Sequence, residues 1–330
     1  MNNQTENLDT KSLERLLLDE SISASFIKKS LSFPLVIINN DENQQLADWI
    51  LDNEEDFNSN LQKYGAILCR DFKVETVEKF QSLTEMFPND FLDYNILSSP
   101  RYEVTNNVYV STACPEDQSI GMHSESSYAL NHPNRIVFCC IIPPKVKGET
   151  PIADNRLIIK NMSPDLVKKF LNLGVMYKRN LTGFLSKSWE DVFQTSDRKK
   201  VEKQCELNGM SYNWKSDSHL ELTWTKKGVW KHPETGDITW FNHALFFNKY
   251  SLNKDLLSFI TSDNELPSNT FFGDGTEITK EEIEHIKEAY KKATIEFRWK
   301  KDDVLFLDNM LMSHGRNPYQ GERKIVVSIS

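Results

Sequence analysis

FLDNMLMSHGRNPYQGERKIVVSIS, residues 306–330, carries the reading of the fold. An apolar run ends at Asp308-Asn309, and His314 follows it. Nine residues after His314, Arg323 opens a second run rich in β-branched residues. Short apolar runs closed by Asn, Asp, Gly or Pro read as strands joined by turns.

The same punctuation recurs upstream. Tyr102 to Thr112, Arg135 to Ile142, Val175 to Arg179, Asp237 to Phe241, Thr294 to Trp299, Val304 to Asp308 and Lys324 to Ile329 are predicted strands. Gly65 to Phe72 (GAILCRDF) is a further strand, set between helices expected over Gln44 to Gln62 and Glu75 to Met86. Ser163-Pro164 starts a helix, with proline at the first helical position. Thr279 and Glu282 have the spacing of a capping box for a helix reaching about Lys292. A shorter helix is expected around Ser12 to Asp19. The charged stretch from Ser188 to Leu207 reads as a helix with a solvated face, or as a lid. Many short strands with few helices predict an α+β chain with a mainly β core, a double-stranded β-helix or jelly roll decorated by helices. No internal repeat, low-complexity tract or long linker divides it. Residues 1–30 read as a variable extension and 31–330 as a single domain.

A second stretch meets the first. In GMHSESSY, residues 121–128, His123 and Glu125 lie two positions apart. On extended backbone, positions i and i+2 share a face, so imidazole and carboxylate converge. Alone, such a tripeptide arises by chance in many chains. With His314 it gives two histidines and one carboxylate, the facial set of non-haem iron(II) oxygenases, which leaves three positions open. Charge explains Arg323. Iron(II), one glutamate and a bound 2-oxo dicarboxylate sum to about one negative charge, and the far carboxylate enters a dry site where it needs a partner. Arginine offers a planar fork of donors and stays charged.

The chain resembles the taurine dioxygenase (TauD/TfdA) superfamily, and most closely its SyrP-like branch. The blocks that carry the resemblance are GAILCRDF, STACPEDQSIGMHSE, GETPIADNR, GVMYKRN, HPETGDITWFN, FFGDG and WKKDDVLFLDNMLMSHGRNPYQGERK. They reach from about Tyr64 to the C-terminus. The resemblance implies an enzyme that uses iron(II), 2-oxoglutarate and O2. It implies that His123, Glu125 and His314 hold the metal, and that Arg323, assisted by Thr150, holds the co-substrate. Ser124 stands where that branch carries Asn. Val327 stands where some relatives carry a second arginine used on an acidic substrate group. Relatives of this branch are commonly encoded with peptide antibiotic or siderophore pathways, which implies a role in specialised-metabolite (antibiotic) biosynthesis.

The expected activity is hydroxylation of an unactivated C–H bond of an amino acid or related small metabolite, free or tethered to a carrier protein. Desaturation, cyclisation or oxidative decarboxylation would use the same core. A carboxylate as third ligand argues against halogenation, which needs that coordination position for halide. Two readings of other classes are weighed beside it. A non-catalytic 2-oxoglutarate-binding or sensing protein would most naturally have lost a ligand or the arginine, and all are present. A zinc hydrolase would leave Thr150 and Arg323 without purpose, and no HExxH helix occurs.

His243, in FNHALFF, and Asn242 are candidates for lining the substrate site, against a core or loop role. Arg316 and Asn317 read as support for the metal loop. Asp274 could face the pocket, but Gly-Asp-Gly is also a turn signal. His285 reads as solvated on an amphipathic helix. The composition, 39% hydrophobic and 26% charged, is that of a globular chain. A net charge of -9 without a basic tract argues against nucleic acid. No apolar run is long enough to span a membrane, and MNNQTENLDT has no apolar targeting core. The five cysteines are odd in number and irregularly spaced, which fits a reducing cytoplasm. Adjacent Cys139 and Cys140 read as core filling for at least one of them.

Overall fold

The computed structural model describes residues 5–28, 30–87, 103–105, 108–110, 114–252, 257 and 260–330. Its largest sheet has eight strands, in the order Ile22–Lys28, Phe33–Asn39, Ala66–Arg70, Val304–Asp308, Arg135–Ile142, Lys324–Ile329, Val108–Val110 and Glu103–Thr105. Neighbours are antiparallel except Phe33–Asn39 beside Ala66–Arg70. Ile22–Lys28, inside the stretch read as an extension, adds an edge strand to this sheet.

The central strand Arg135–Ile142 shows how an apolar run becomes a layer boundary. A strand covered on both faces reads as continuous apolar sequence, and alternate residues go to opposite sides. Val137 and Cys139 pack with the helices Leu46–Asp52, Glu54–Tyr64 and Val77–Glu85. Ile136, Phe138 and Cys140 point the other way. The two adjacent cysteines are both buried, and they fill different cores.

On that other side lies a smaller sheet, in the order Thr294–Ile295, Ile152–Asp154, Met312–Arg316, Ile120–His123. Leu305, Leu307, Ile325 and Val327 of the large sheet meet Ile152, Ile295 and Met312 of the small one in a shared core. These two facing sheets are the jelly roll that the sequence predicts. A third sheet, Ser211–Trp214, Leu220–Lys226, Val175–Leu181 and Ser268–Phe272, builds its own core with the helices Pro164–Leu173, Arg198–Leu207 and Lys280–Ala293.

Several predicted elements change in outline. The helix expected over Gln44 to Gln62 is two helices, Leu46–Asp52 and Glu54–Tyr64. Asn53 divides them at φ -123°, ψ 26°, with its amide donating to the Trp49 carbonyl at 2.9 Å. An asparagine side chain competes with the helical ladder in this way. The strand expected over Thr294 to Trp299 stops at Ile295, after which Phe297 and Trp299 turn into the core between the two sheets. Asp237 to Phe241 shrinks to Ile238–Thr239. Glu103–Thr105 and Val108–Val110 are strands, and the rest of Tyr102 to Thr112 lies outside the described residues. Ser188 to Leu207 keeps the expected solvated face, with Glu190, Asp191, Lys199 and Lys203 exposed, but is two helices with a buried side. It folds as Trp189–Phe193 and Arg198–Leu207, and Trp189, Val192, Phe193, Val201 and Cys205 are all buried. The capping box at Thr279 and Glu282 forms, with both of its bonds present. Among the described residues no helix is long and apolar enough to cross a membrane.

Candidate active site

The mouth of the jelly roll is built by pairing two short strands of the small sheet. His314 lies directly across from His123 in the antiparallel register. Side chains of opposed residues stand on one face within contact distance, and the two imidazole rings are 4.5 Å apart between centroids. Gly315 permits this approach. A Cβ there would come within 2.8 Å of the Ile120 carbonyl oxygen and 3.1 Å of the Met122 sulfur.

Glu125 arrives differently from the expectation. The strand ends at His123, and Glu125 lies in the turn that follows, ahead of Ser126 in the left-handed region at φ 55°. Asn309 fixes that turn. Its Oδ1 accepts the Glu125 N–H at 2.7 Å, and its Nδ2 donates to the Glu125 and Pro133 carbonyls, both at 2.9 Å. The Ser126 hydroxyl donates to Glu125 Oε1 at 3.3 Å. The Glu125 carboxylate then stands 4.0 Å from His123 Nε2. One ligand atom from each of His123, Glu125 and His314 lies within 4.8 Å of the others, and this is the one such cluster among the described residues. Two imidazoles and a carboxylate suit iron(II). His123 Nδ1 sits 2.9 Å from the Gly121 carbonyl, an acceptor, so Nδ1 carries the proton and Nε2 is left to face a metal.

A buried polar knot lies beneath the ligands. Ser124, between the strand end and the turn, is buried with its hydroxyl turned into the protein. Its hydroxyl donates to the Met312 carbonyl at 3.1 Å and accepts from Asn155 Nδ2 at 3.0 Å. The Ser313 hydroxyl donates to Asn155 Oδ1 at 2.5 Å. Ser124, Asn155, Asn309 and Ser313 are all buried. Sequence reading missed Asn309, Asn155 and Ser313. Asn309 appeared there only as a strand terminator, although its place at the end of an apolar run, five residues before a ligand, was a usable signal. Asn309→Ala strands two carbonyls and one N–H at once. Each buried orphan costs about 1–3 kcal/mol and the costs overlap, so denaturant unfolding should show a loss of about 3 kcal/mol. Iron affinity should fall roughly 10- to 100-fold, as for other partners that orient ligands. A variant within about 0.5 kcal/mol of the parent would remove Asn309 from this role, since that is the range of inert surface changes.

Arg316 supports the loop, as expected. It is buried and donates to the carbonyls of Cys114 at 2.9 Å, Pro115 at 2.6 Å and Gln118 at 2.5 Å, holding the chain that enters the His123 strand. Asn317 donates to Glu149 and Glu296. Arg323, half-buried, donates from Nε to the Gly148 carbonyl at 3.2 Å, two residues before Thr150. Burial, then the neighbouring Arg316, bring its pKa down to about 10, which leaves it charged at neutral pH. Thr150 is buried, and its oxygen accepts from Trp299 Nε1 at 3.1 Å, so its hydroxyl proton remains to be donated. Val327 is buried in the core between the sheets.

His243 is brought to the cluster and Asn242 is not. The His243 ring lies 5.9 Å from that of His123, and its Nδ1 is 2.7 Å from the Ser127 hydroxyl. Burial, then His123, hold its pKa well below the usual histidine range, so it is neutral. Asn242 spends its amide on the Gly228 carbonyl at 2.6 Å and the Ala244 N–H at 2.8 Å, which is a loop-holding role. Asp274 accepts from Thr276 within an exposed turn. His285 is exposed, with Nε2 accepting from the Ser163 N–H at 2.9 Å.

The family profile described as "Taurine catabolism dioxygenase TauD, TfdA family" matches residues 32–329. The chain belongs to the TauD/TfdA family. It is a 2-oxoglutarate-dependent dioxygenase of that family, with iron(II) as its metal, 2-oxoglutarate and O2 as co-substrates, and a small molecule as substrate. Among curated relatives, the dapdiamide synthesis protein DdaC of Enterobacter agglomerans is 34% identical over 273 residues, covering 82% of this chain and 83% of that protein. A clavaminate synthase-like protein of Arabidopsis thaliana is 26% identical over 278 residues, with 82% of each covered. Solved TauD-like structures share the fold at low identity. AAD-2 in complex with Mn(II) and N-oxalylglycine superposes with a TM-score of 0.55 at 13% identity, covering 93% of this chain and 96% of that one. PvcB of Pseudomonas aeruginosa gives 0.55 at 13%, covering 94% and 92%.

Proposed function

We propose that this TauD/TfdA dioxygenase hydroxylates an unactivated C–H bond of an amino acid or a related small metabolite in specialised-metabolite biosynthesis. The observation that carries this reading is the cluster of His123 and His314, opposed in the small sheet, with Glu125 brought in by the turn that follows. In it, His123 Nε2, Glu125 and His314 hold iron(II), and Arg323 with Thr150 receives the far carboxylate of 2-oxoglutarate. Iron(II) with 2-oxoglutarate supplies O2 activation, one oxygen atom going to succinate, formed with CO2, and the other to the product. The chain's part is to place the C–H bond and keep water out. Phe246, whose ring lies 5.0 Å from that of His123, and buried Phe247 form the apolar wall for both tasks. Likeness to the dapdiamide synthesis protein supports a biosynthetic setting. The substrate is presented free or on a carrier protein, and the setting is cytoplasmic. Residues 31–330 act as the single catalytic domain, with 1–30 as its extension.

Succinate release, screened with iron(II) across free amino acids and their carrier-bound thioesters, identifies the substrate. Glu125 determines the outcome. With a carboxylate in the third ligand position, the product made in chloride and in bromide should gain one oxygen and no halogen by mass spectrometry. Glu125→Ala opens the position, yet hydroxylation should fall sharply with little halogenation, because an open site does not move the substrate carbon nearer a halide. A halogenated product from the native enzyme would defeat this reading and leave the family assignment intact.

A further inference from the structure

A cavity of about 660 Å³ opens beside the proposed iron site, lined by Gly121 and Met122 next to His123, by Leu245, Phe246 and Phe247, and by Arg179, Ser186 and Lys187. From it we infer that the substrate enters with a free carboxylate gripped by Arg179 and Lys187, its carbon skeleton lying along Phe247 and Phe246 toward the metal. This rests on the hydroxylase reading above and narrows its substrate to small carboxylic acids.

The two cations come from one stretch of chain. Arg179 is on the strand Val175–Leu181, opposite Ser268, and Lys187 is in the loop that follows. Arg179 is buried, with 7% of its surface exposed, and its guanidinium lies 5.7 Å from the centre of the Phe247 ring. The Phe247 ring also packs 5.0 Å from buried His243, whose ring lies 5.9 Å from that of His123. Phe246, which lines the same cavity, lies 5.0 Å from the His123 ring, so the cavity wall itself adjoins the proposed iron ligands. Lys187 is half-buried. Burial first, then Arg179, push its ammonium below the usual lysine range, and Asp191 opposes them. Two like charges thus act on one another across one cavity wall. No carboxylate lines the cavity among the described residues. Lys287 also lines it, but its ammonium is engaged by the Tyr250 carbonyl at 2.9 Å and Glu284 at 2.8 Å. A partly dry space with two cations and an apolar floor favours an anion with a short hydrocarbon body.

The test uses the anaerobic holoenzyme, loaded with iron(II) and saturating 2-oxoglutarate. The visible band of the chelated keto acid reports loading, and its absence counts against the iron and co-substrate reading, not against this cavity. Butyrate, butyramide and inorganic phosphate are then titrated calorimetrically. Butyrate should bind roughly 10- to 100-fold more tightly than butyramide, the worth of a hydrogen bond to a charged group. Arg179→Gln should erase that preference and Arg179→Lys should keep part of it, since a point charge replaces a fork. If Arg179→Gln fails to fold, Lys187→Met in the loop decides, with an expected loss of about tenfold. Equal binding of butyrate and butyramide, no binding of butyrate, phosphate bound in its place, or an undiminished preference in Lys187→Met with Arg179→Gln would each overturn the proposal.

Discussion

His314→Ala should yield a folded chain that no longer retains iron(II) after desalting and no longer shows the visible band of the iron–2-oxoglutarate chelate. His314 is buried, packed 5.2 Å from the Phe138 ring and 4.5 Å from the His123 ring. Removing it takes one of three candidate ligands and leaves an imidazole and a carboxylate, too few for tight retention of a divalent ion. Losses from orienting partners run roughly 10- to 100-fold, and loss of a ligand itself exceeds them, so succinate formation should drop to background. The folding cost is that of a small cavity beside Phe138, about 1–3 kcal/mol, which a two-state domain survives. His285→Ala serves as the control, because His285 lies exposed on its helix and accepts a bond from the Ser163 N–H, away from the cluster. Iron content, the anaerobic spectrum and succinate are measured on both. Full iron and turnover in His314→Ala would show that the ligand set is drawn wrongly.

Arg323→Ala should act on the co-substrate and spare the metal. The Arg323 guanidinium stays charged at neutral pH despite burial. Losing a hydrogen-bonded partner of a charged group costs about 1.5–3 kcal/mol, and fully buried pairs reach 3–5. Arg323 is half-buried, so the lower range governs, and the KM for 2-oxoglutarate should rise roughly 10- to 150-fold. Iron content should stay at the native level. Arg323→Lys should recover only part of the loss, because one ammonium cannot make two parallel contacts. A KM within about twofold of the native value in the alanine variant would exclude this role, since the expected range starts near tenfold.

Parts of this site were legible because chemistry and spacing coincide in short stretches. His123 with Glu125 says little alone, but together with His314 and Arg323 it gives a combination of residue types that points to one chemistry. The means of bringing them together was not legible. Asn309 holds Glu125 from 184 positions away, and Ser313 meets Asn155 across 158. Such bonds leave no periodic trace, since a side chain bonding distant backbone obeys no helical or strand repeat. The convergence of Glu125 was anticipated from an extended strand, whereas a turn performs it. Charge gave only half of Ser188 to Leu207, the exposed face of Glu190, Lys199 and Lys203, and obscured the stripe of Trp189, Val192 and Phe193 that is buried in the core. The jelly roll survived these errors. Its sheets are set by alternating apolar runs such as Arg135–Ile142, whose two faces must both be covered.

The polar knot of Ser124, Asn155, Ser313 and Asn309 has a consequence for metal identity. Because these amide and hydroxyl groups fix the backbone that carries His123, Glu125 and His314, the candidate donors stand together before any ion arrives. A prearranged set of two nitrogens and one oxygen does not select iron by shape. Intrinsic affinity rises along the first-row series, so copper, nickel and zinc bind such donors more tightly than iron(II). The occupant is therefore chosen by which ions are freely available where the chain folds. An enzyme built in this way is open to silent mismetallation, in which a correctly folded and fully loaded protein remains inert until its ion is exchanged.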